Sequence, residues 1–240
     1  MKIAVCLYGQ PRGFEIGHSH LSRSLEGHEV DYFFHLWYDQ SEEGKPLKIY
    51  STKNQSVTDV IKKDTDKKIL DLYKPRDFIF EKQIEFPPDE ELDKNAGRPL
   101  KSTQPSSIFQ SMLYSRHQSG ELMSKYMNEY DIAIATRTDI APTAKFVDNI
   151  TDDSIYDGYT RGNEWHDTCL NGCIVASSPP NVKHFLSLYK HYKDIFKKGI
   201  DHCDHRMSFY HMKSLDKKFK KILNNNWFFV RNNQLVAGFF

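Results

Sequence analysis

Polar side chains follow three short apolar runs of the sequence, and their types suit the binding of phosphate groups and a metal ion. In an open α/β sheet, ligands bind outside the carboxyl ends of the strands. If the three runs are strands of such a sheet, we expect the polar residues after them to meet at one rim. These residues are Gly9, Gln10 and Arg12 after the first run, His35 near the end of the second, and Arg137 and Asp139 at the end of the third.

The loop after the first run contains Arg12, just before a predicted helix. The first N–H groups of a helix have no intrahelical partners and a guanidinium is positively charged, so both features favour an anion. A polar turn with a solvated arginine explains the same residues. The Gly-x-x-x-x-Gly-Lys pattern of a nucleotide P-loop is missing, and Gly9 and Gly13 have the wrong spacing for a dinucleotide-binding fingerprint.

Asp139 follows a run of small apolar residues, which predicts that its carboxylate lies at the rim of the sheet. A magnesium-type cation keeps several waters and takes one or two carboxylates together with substrate phosphates. Asp139 beside Arg137 could therefore hold a metal–diphosphate. A salt bridge or a helix cap is the alternative explanation of this Arg-x-Asp spacing.

The elements that must position these residues alternate between strand and helix in the first half of the chain and are mixed in the second, which favours an α/β sheet with an antiparallel elaboration. The polar stretch from Pro87 to 104 has little core content and is predicted to be a long loop. Strands are predicted at 2–8, 30–37, 77–81, 130–137, 155–159, 170–176 and 227–230. Helices are predicted at 14–27, 58–73, 106–128, 182–196, 203–212 and 215–223.

Composition and charge exclude several classes of protein. The 240 residues contain 33 Lys+Arg and 32 Asp+Glu, so the basic excess of a nucleic-acid-binding protein is missing and we expect no nucleic-acid partner. No apolar run approaches the roughly 20 residues of a membrane-spanning helix. The N-terminal stretch lacks the features of a signal peptide, and four cysteines are too few for a disulfide framework. We therefore expect an intracellular, cytoplasmic protein with reduced thiols.

Four motifs occur in order over about residues 3–140. They are Tyr8-Gly9-Gln10-Pro11-Arg12, His35-Leu36-Trp37, Gln110-Ser111-Met112 and Thr136-Arg137-Thr138-Asp139-Ile140. Together they resemble small nucleotide-sugar-dependent glycosyltransferases of the glycosyltransferase-A fold, which are found in viral and bacterial glycan clusters. If the protein is viral, the expected location becomes the host cytoplasm.

The resemblance implies a nucleoside-diphosphate-sugar donor, a divalent cation (Mn²⁺ or Mg²⁺) and transfer of the sugar to a glycan or other hydroxyl acceptor. Asp139 matches the second, metal-binding Asp of the family's Asp-x-Asp motif, and Arg137 stands in place of the first. Arg137 could instead neutralise the diphosphate in the transition state. The residues that the resemblance places against the donor are Gly9, Gln10, Arg12, His35, Gln110 and Ser111.

An inverting transfer also needs a base for the acceptor hydroxyl. Asp167 lies where the family places acceptor-side residues, and Glu164 and His166 are alternatives. Trp165 could stack on a sugar ring or pack on the core as part of a lid. A solvated loop explains the same four residues.

The segment 201–205 contains two histidines and a cysteine, and Cys169 and Cys173 could complete a tetrahedral zinc site with it. In a strand, however, residues four apart lie about 13 Å from each other. In glycosyltransferases of this fold a C-terminal His or acid often reaches the metal or diphosphate, so the resemblance favours His205 or Asp204 for that position. A capped surface helix is the alternative.

The sequence is therefore interpreted as one α/β domain, 1–240, of the glycosyltransferase-A type. Its mixed sheet has a parallel, Rossmann-like N-terminal half flanked by helices, with 1–140 binding the nucleotide-sugar and 141–240 forming the acceptor side. We expect Asp139→Ala to abolish sugar transfer with little change in the thermal midpoint. A sugar nucleotidyltransferase and a non-catalytic carbohydrate-binding protein are the alternatives, although Gln-Pro-Arg-Gly is a poor match to the Gly-rich basic loop of the former.

Overall fold

Ten strands and seven α-helices form the part of the chain that the computed structural model describes, which is residues 1–47, 60–95, 105–158, 168–201, 203–223, 226–231 and 234–237. The strands are β1 (Lys2–Gly9), β2 (Glu29–Trp37), β3 (Asp77–Glu81), β4 (Ile132–Arg137), β5 (Ile140–Pro142), β6 (Ile155–Gly158), β7 (Ile174–Ser177), β8 (Phe219–Ile222), β9 (Trp227–Arg231) and β10 (Gln234–Ala237). The helices are α1 (Phe14–Ser24), α2 (Thr65–Tyr73), α3 (Glu90–Asn95), α4 (Ser106–Ser124), α5 (Pro179–Leu186), α6 (Tyr192–Lys197) and α7 (Asp204–Lys213).

The main sheet has seven strands in the order β3-β2-β1-β4-β7-β6-β8. Neighbouring strands pair in parallel except at β7, which is antiparallel to both β4 and β6. Tyr8 of β1 lies opposite His35 of β2 on one side and Arg137 of β4 on the other, so the carboxyl ends of these three strands are level. The predicted α/β fold, a mixed sheet flanked by helices with parallel strands from the N-terminal half, is confirmed.

The composition of β1 explains its central place. Its interior residues are buried, and they alternate between the two faces of the sheet. Val5 and its neighbours on one face pack in a core with α1, and Cys6 and its neighbours on the other pack in a second core with α4 and α5. Strands covered on both faces are expected to be continuously apolar, as this one is.

A small second sheet, in the order β10-β9-β5, covers the turn that follows β4. Ile140 of β5 lies opposite Phe229 of β9, and the N–H of Val230 donates to the carbonyl oxygen of Asp139 at 2.8 Å. The C-terminal part of the chain is thereby attached directly to the end of β4.

Helix α1 lies against the same turn. A Cβ atom at Gly17 would stand 2.0 Å from the carbonyl oxygen of Thr138, so only glycine allows this approach. Gly13, which precedes the helix, has φ +55 and would place a Cβ atom 2.5 Å from the side chain of Val230. The first loop, the turn after β4 and strand β9 are therefore packed closely against one another.

Several predicted elements differ from those observed. The predicted helix 215–223 is wrong, because Asp216 has positive φ and 219–222 form β8 beside β6. The helix predicted at 58–73 begins only at Thr65, after the left-handed Asp64, and 58–59 lie outside the described residues. Helix α3 lies inside the stretch predicted as a loop, and β5 and β10 were not predicted. Among the described helices, none is long and apolar enough to cross a membrane.

Candidate functional site

Three arginines from separate parts of the chain surround the carboxylate of Asp139. Its Oδ2 lies 2.5 Å from Arg137 Nη2, 2.5 Å from Arg231 Nη1 and 3.5 Å from Arg12 Nη2. We call Arg12, Arg137 and Arg231 the arginine cluster. The sequence predicted that Arg12, Arg137 and Asp139 would meet at the rim of the sheet, and the structure brings them together.

The backbone around the arginine cluster is held by hydrogen bonds between the three segments. The hydroxyl of Thr138 lies 3.1 Å from the carbonyl oxygens of both Gln10 and Arg12, which fixes the first loop to the turn after β4. The N–H of Val230 fixes β9 to the same turn through the carbonyl of Asp139. Each guanidinium therefore starts from a backbone position that the fold determines.

The charge of Asp139 is stabilised by its neighbours although the side chain is only 1% exposed. Burial by itself raises the pKa of this carboxyl, but attraction to the three arginines outweighs burial and holds the pKa well below its usual range. Asp139 is thus ionised at neutral pH and acts as a counter-ion to the arginine cluster. Its carboxylate pairs with all three guanidiniums of the cluster.

The ring of Phe229 supports two members of the arginine cluster. The guanidinium carbon of Arg231 lies 4.7 Å from the ring centroid and that of Arg137 lies 5.5 Å from it. Guanidiniums stack favourably on aromatic faces, so the ring limits the positions that both side chains can take. Phe229 is itself held in β9 opposite Ile140.

A divalent cation does not fit the residues around Asp139. Oδ2 is already contacted by three positive groups, and Oδ1 is buried and accepts no hydrogen bond within the described structure. A hydrated Mg²⁺ or Mn²⁺ needs room for its waters, and here it would also be repelled by the arginine cluster. No group of three or more His, Cys, Asp or Glu side chains suited to a metal occurs among the described residues.

A chain of side chains connects the first loop to α4. Gln10 Nε2 donates to Gln83 Oε1 at 3.2 Å, and Gln83 Nε2 donates to Ser111 Oγ at 3.2 Å. Of the two α4 residues expected beside the donor, only Ser111 joins this chain. Gln110 points elsewhere, because its amide donates to the carbonyl of Pro87 and accepts from the hydroxyl of Tyr192, each at 3.1 Å.

His35 is buried beneath the rim and not exposed on it. The residue is 0% exposed, and its ring nitrogens lie 2.9 Å from Ser115 Oγ and 2.8 Å from Glu81 Oε2. Burial lowers the pKa of His35 despite Glu81, which favours a neutral ring that donates from Nε2 to the carboxylate. The direct donor contact expected of His35 is therefore corrected to a positioning role.

Gly9 is fixed by the same group of residues. Its N–H donates to Ser115 Oγ at 2.8 Å, and its φ of +96 suits glycine. The Ser115 hydroxyl donates to the carbonyl oxygen of His35 at 2.9 Å and lies 2.9 Å from Nδ1 of the same residue, so β1, α4 and β2 are joined by one group of hydrogen bonds. These hydrogen bonds hold the end of β1 and the start of the Arg12 loop in place.

A second cluster lies on the other side of β4, where β6 ends and β7 begins. The carboxylate of Asp157 accepts the N–H groups of Asn171 at 2.7 Å and Gly172 at 3.1 Å. Burial raises the pKa of Asp157 to about 7, although these two hydrogen bonds and His205 act in the opposite direction. Nδ1 of His205 lies 2.8 Å from the carbonyl oxygen of Leu170. His205, expected as a metal ligand, thus lies beside Asp157 in this cluster.

Asp204 adds a further carboxylate to the second cluster. It pairs with the fully buried Arg116 of α4 at 3.0 Å. Burial raises the pKa of the Cys173 thiol to about 12. Charged groups of both sites also act on this thiol: Arg137 and Asp139 from the first, and Asp157 and Asp204 from the second. The two clusters therefore adjoin at Cys173, along the edge formed by β1, β4 and β7.

Some predicted site residues lie outside the described part of the chain. They are Asp167, the expected base, and its neighbours Glu164, Trp165 and His166. His202 of the alternative zinc site also lies outside it, and the four cysteines are free thiols. These assignments stay predictions.

A small cavity of about 40 Å³ lies beside the arginine cluster, between the start of α1 and the start of α2. Arg12 and Lys62 are among the residues that line it. It has room for about one or two waters and not for a nucleotide. Glu15 lines it as well and pairs with Lys62 at 3.4 Å.

Two functional candidates were missed from the sequence. Arg231 follows an apolar run, as Arg137 does, and that shared pattern was the available signal. Asp157 lies within a predicted strand and was not singled out. No protein-family model matches the chain, and no curated protein matches its sequence.

Proposed function

We propose that the protein transfers a sugar from a nucleoside-diphosphate-sugar donor to a hydroxyl group of a glycan or another acceptor. The observation that carries this proposal is the meeting of the three guanidiniums of the arginine cluster around Asp139, at the carboxyl ends of β1 and β4. Such a rim is where a ligand of an open α/β sheet binds. The mostly parallel sheet flanked by helices is compatible with the glycosyltransferase-A fold that the four motifs imply.

The chemistry of the transfer matches this charge. When the bond between the sugar and the diphosphate breaks, negative charge develops on the departing nucleoside diphosphate. Guanidiniums that are already fixed stabilise this charge without reorganisation during the reaction. In the proposed complex Arg12 and Arg137 contact the phosphates, and Gln10 lies at the same loop beside Gln83 and Ser111.

The acceptor is proposed to approach from the side of β6 and β7. The carboxyl groups of Asp157 and Asp204 lie there, next to the arginine cluster at Cys173. Asp167, which follows β6 in the chain, is the proposed base for an inverting transfer, because the resemblance places acceptor-side residues at that position.

The proposal is tested by identifying the products. The protein is incubated with a panel of nucleoside-diphosphate-sugars, with and without simple sugar acceptors, and released nucleoside diphosphate is measured by anion-exchange chromatography. A parallel reaction contains nucleoside triphosphates and sugar 1-phosphates. We expect release of nucleoside diphosphate in the first reaction; release of pyrophosphate in the second alone would identify a nucleotidyltransferase.

A matched pair of variants links the activity to the site. Arg12→Gln removes one member of the arginine cluster, whereas Arg23→Gln removes an exposed arginine of α1. We expect at least a tenfold loss of turnover for the first and wild-type turnover for the second. A melting temperature that rises with nucleotide-sugar while no acceptor yields product would contradict the transferase and favour a binding protein.

A further inference from the structure

Asp157, near the end of β6, holds a turn that belongs to another part of the chain. Its Oδ2 accepts the backbone N–H of Asn171 at 2.7 Å, and its Oδ1 accepts that of Gly172 at 3.1 Å. Gly172 has a φ of +72, which suits glycine and gives the turn its shape. One side chain thus satisfies two consecutive N–H groups just before β7.

The same turn is attached to the two central strands of the sheet. The hydroxyl of Tyr8, in β1, donates to the carbonyl oxygen of Gly172 at 3.2 Å. The hydroxyl of Thr136, in β4, donates to the carbonyl oxygen of Cys173 at 2.8 Å. Arg137 of the arginine cluster directly follows Thr136, so the turn is joined to the strand that carries this guanidinium.

Helix α7 borders the turn as well. The N–H of Leu170 donates to the carbonyl oxygen of His205 at 3.0 Å, and Oδ2 of Asp204 would lie 3.5 Å from a Cβ atom at Gly172. Segment 170–173 is therefore held by contacts with β1, β4, β6 and α7. Asp157 makes the contact from β6.

We infer that Asp157 is a positioning residue for the acceptor: by holding the turn at 171–172, its carboxylate sets the acceptor side of the site relative to the arginine cluster. The inference rests on the proposed function for the existence of an acceptor. Asp167, the proposed base, lies only four positions before Asn171 in the chain, so the place of the turn limits how far this base can lie from it.

A carboxylate suits this role better than an amide of the same shape. A hydrogen bond to an ionised acceptor is roughly twice as strong as one between neutral groups. Asparagine at this position would offer one acceptor oxygen to two N–H groups and would turn its own NH₂ group toward one of them. Asp157→Asn therefore loosens the turn while it changes the size of the side chain little.

The hold on the turn is measured by solvent exchange of the Gly172 amide. Asn171-Gly172 is the only Asn-Gly pair in the sequence, so labelling with carbonyl-¹³C asparagine and ¹⁵N glycine gives one NMR signal. The measurement is made at pH 8, because burial raises the pKa of Asp157 to about 7 and the carboxyl is then mostly ionised. We expect exchange at least about tenfold faster in Asp157→Asn than in wild type. The control Asp153→Asn, at a side chain that is 62% exposed, should exchange like wild type.

The effect on the acceptor is measured by steady-state kinetics. Asp157→Asn is expected to raise the KM for the acceptor at least about fivefold. Its affinity for inorganic pyrophosphate, which stands for the diphosphate of the donor, should stay within about twofold of wild type by isothermal titration calorimetry. A merely structural role would weaken both equally, through a smaller folded fraction, or neither. Thermal unfolding shows whether the variant is folded, and the wild-type exchange rate needs no variant.

A wild-type Gly172 amide that exchanges as fast as an unfolded peptide would overturn the inference. So would unchanged exchange in Asp157→Asn, an unchanged KM for the acceptor, or equal losses of acceptor and pyrophosphate binding. If wild type transfers sugar and any of these results is found, the inference fails and the transferase stands. If no nucleoside-diphosphate-sugar is cleaved while exchange is faster in Asp157→Asn, Asp157 holds the turn and the transferase fails together with the acceptor role.

Discussion

Nη1 of Arg231 lies 2.5 Å from Oδ2 of Asp139, although the two residues are 92 positions apart in the chain. The contact joins the small C-terminal sheet to the end of the central strand β4. Asp139 thereby connects an element of each half of the chain. The negative charge of its carboxylate offsets the electrostatic repulsion among the three guanidiniums.

Replacing Asp139 is therefore expected to affect stability as well as ligand binding. Asp139→Asn keeps the shape of the side chain but leaves three like charges without their counter-ion. We expect the free energy of unfolding to fall by about 3 to 5 kcal/mol, as when one partner of a buried ion pair is removed. The burial of Asp139 thus argues against the sequence-based expectation of a nearly unchanged thermal midpoint. Urea unfolding followed by circular dichroism measures the change.

The control for this variant is Asp194→Asn, whose side chain is 72% exposed and pairs only with a surface lysine in the described structure. Its free energy of unfolding should stay within about 0.5 kcal/mol of wild type. If Asp139→Asn behaved like this control, Asp139 would not be the counter-ion described here.

Gly17→Ala tests the close packing of α1 on the turn after β4. In an exposed helix interior this change stabilises by about 1 kcal/mol. Here the new methyl group would meet the carbonyl oxygen of Thr138 at 2.0 Å, a backbone atom that cannot rotate away. We expect a loss of at least about 2 kcal/mol in the free energy of unfolding, together with weaker pyrophosphate binding because the Asp139 turn is displaced.

Ser19→Ala is the matched control, since Ser19 is exposed on the same helix. It should be neutral or slightly stabilising. Equal stabilities of the two variants, measured by urea unfolding, would show that α1 does not press on the turn.

Ser115→Ala tests the hydrogen-bond chain beneath the rim. The hydroxyl accepts from the N–H of Gly9 and lies 2.9 Å from Nδ1 of His35. Without it a buried donor and a buried ring nitrogen lose their partners, which costs about 1 to 3 kcal/mol. Because Gly9 leads into the Arg12 loop, we also expect pyrophosphate affinity to fall.

The control is Ser107→Ala, at a half-buried position in the first turn of the same helix where no side-chain hydrogen bond is described. Differential scanning calorimetry of both variants separates the loss of the hydrogen-bond chain from the loss of a hydroxyl in general. A thermal midpoint of Ser115→Ala equal to that of Ser107→Ala would remove the positioning role given to His35.

The part of the fold that could be predicted is the part encoded by local pattern. The continuous apolar runs of β1 and β4 indicate strands covered on both faces, and both lie at the centre of the sheet. Segment 215–223 was predicted incorrectly because its apolar residues fit either period. Its structure is decided by pairing with β6, a contact between distant segments that a local pattern does not contain.

The candidate site, too, could be predicted from local sequence patterns only in part. Arg12 and Asp139 follow apolar strands. Because the carboxyl ends of neighbouring parallel strands meet at one rim of the sheet, these two residues could be predicted to lie together. Arg231 reaches them only because β5, a three-residue strand, pairs with β9. Gln110 and Ser111 are adjacent in sequence, but successive helical residues point about 100° apart, so only one of them can join the chain from Gln10.

A stack of three histidine rings makes the free energy of unfolding depend on pH. The rings of His184 and His211 lie 4.0 Å apart between centroids, and the ring of His191 lies 5.0 Å from that of His211. Burial, together with the nearby His184, His191 and Arg116, lowers the pKa of His211 to about 3, although the carbonyl of His184 acts in the opposite direction. His211 is therefore neutral in the folded protein at physiological pH.

The unfolded chain takes up a proton on this histidine below about pH 6.5, whereas the folded protein does not until the pH approaches 3. Stability must therefore fall as the pH falls through this window. Between pH 7.5 and 5.0 we expect wild type to lose about 2 kcal/mol more than His211→Gln, measured by urea unfolding at both values. Tyr210→Gln, at an exposed position of the same helix, should keep the wild-type dependence. Parallel losses in wild type and His211→Gln would mean that this ring is protonated in the folded state.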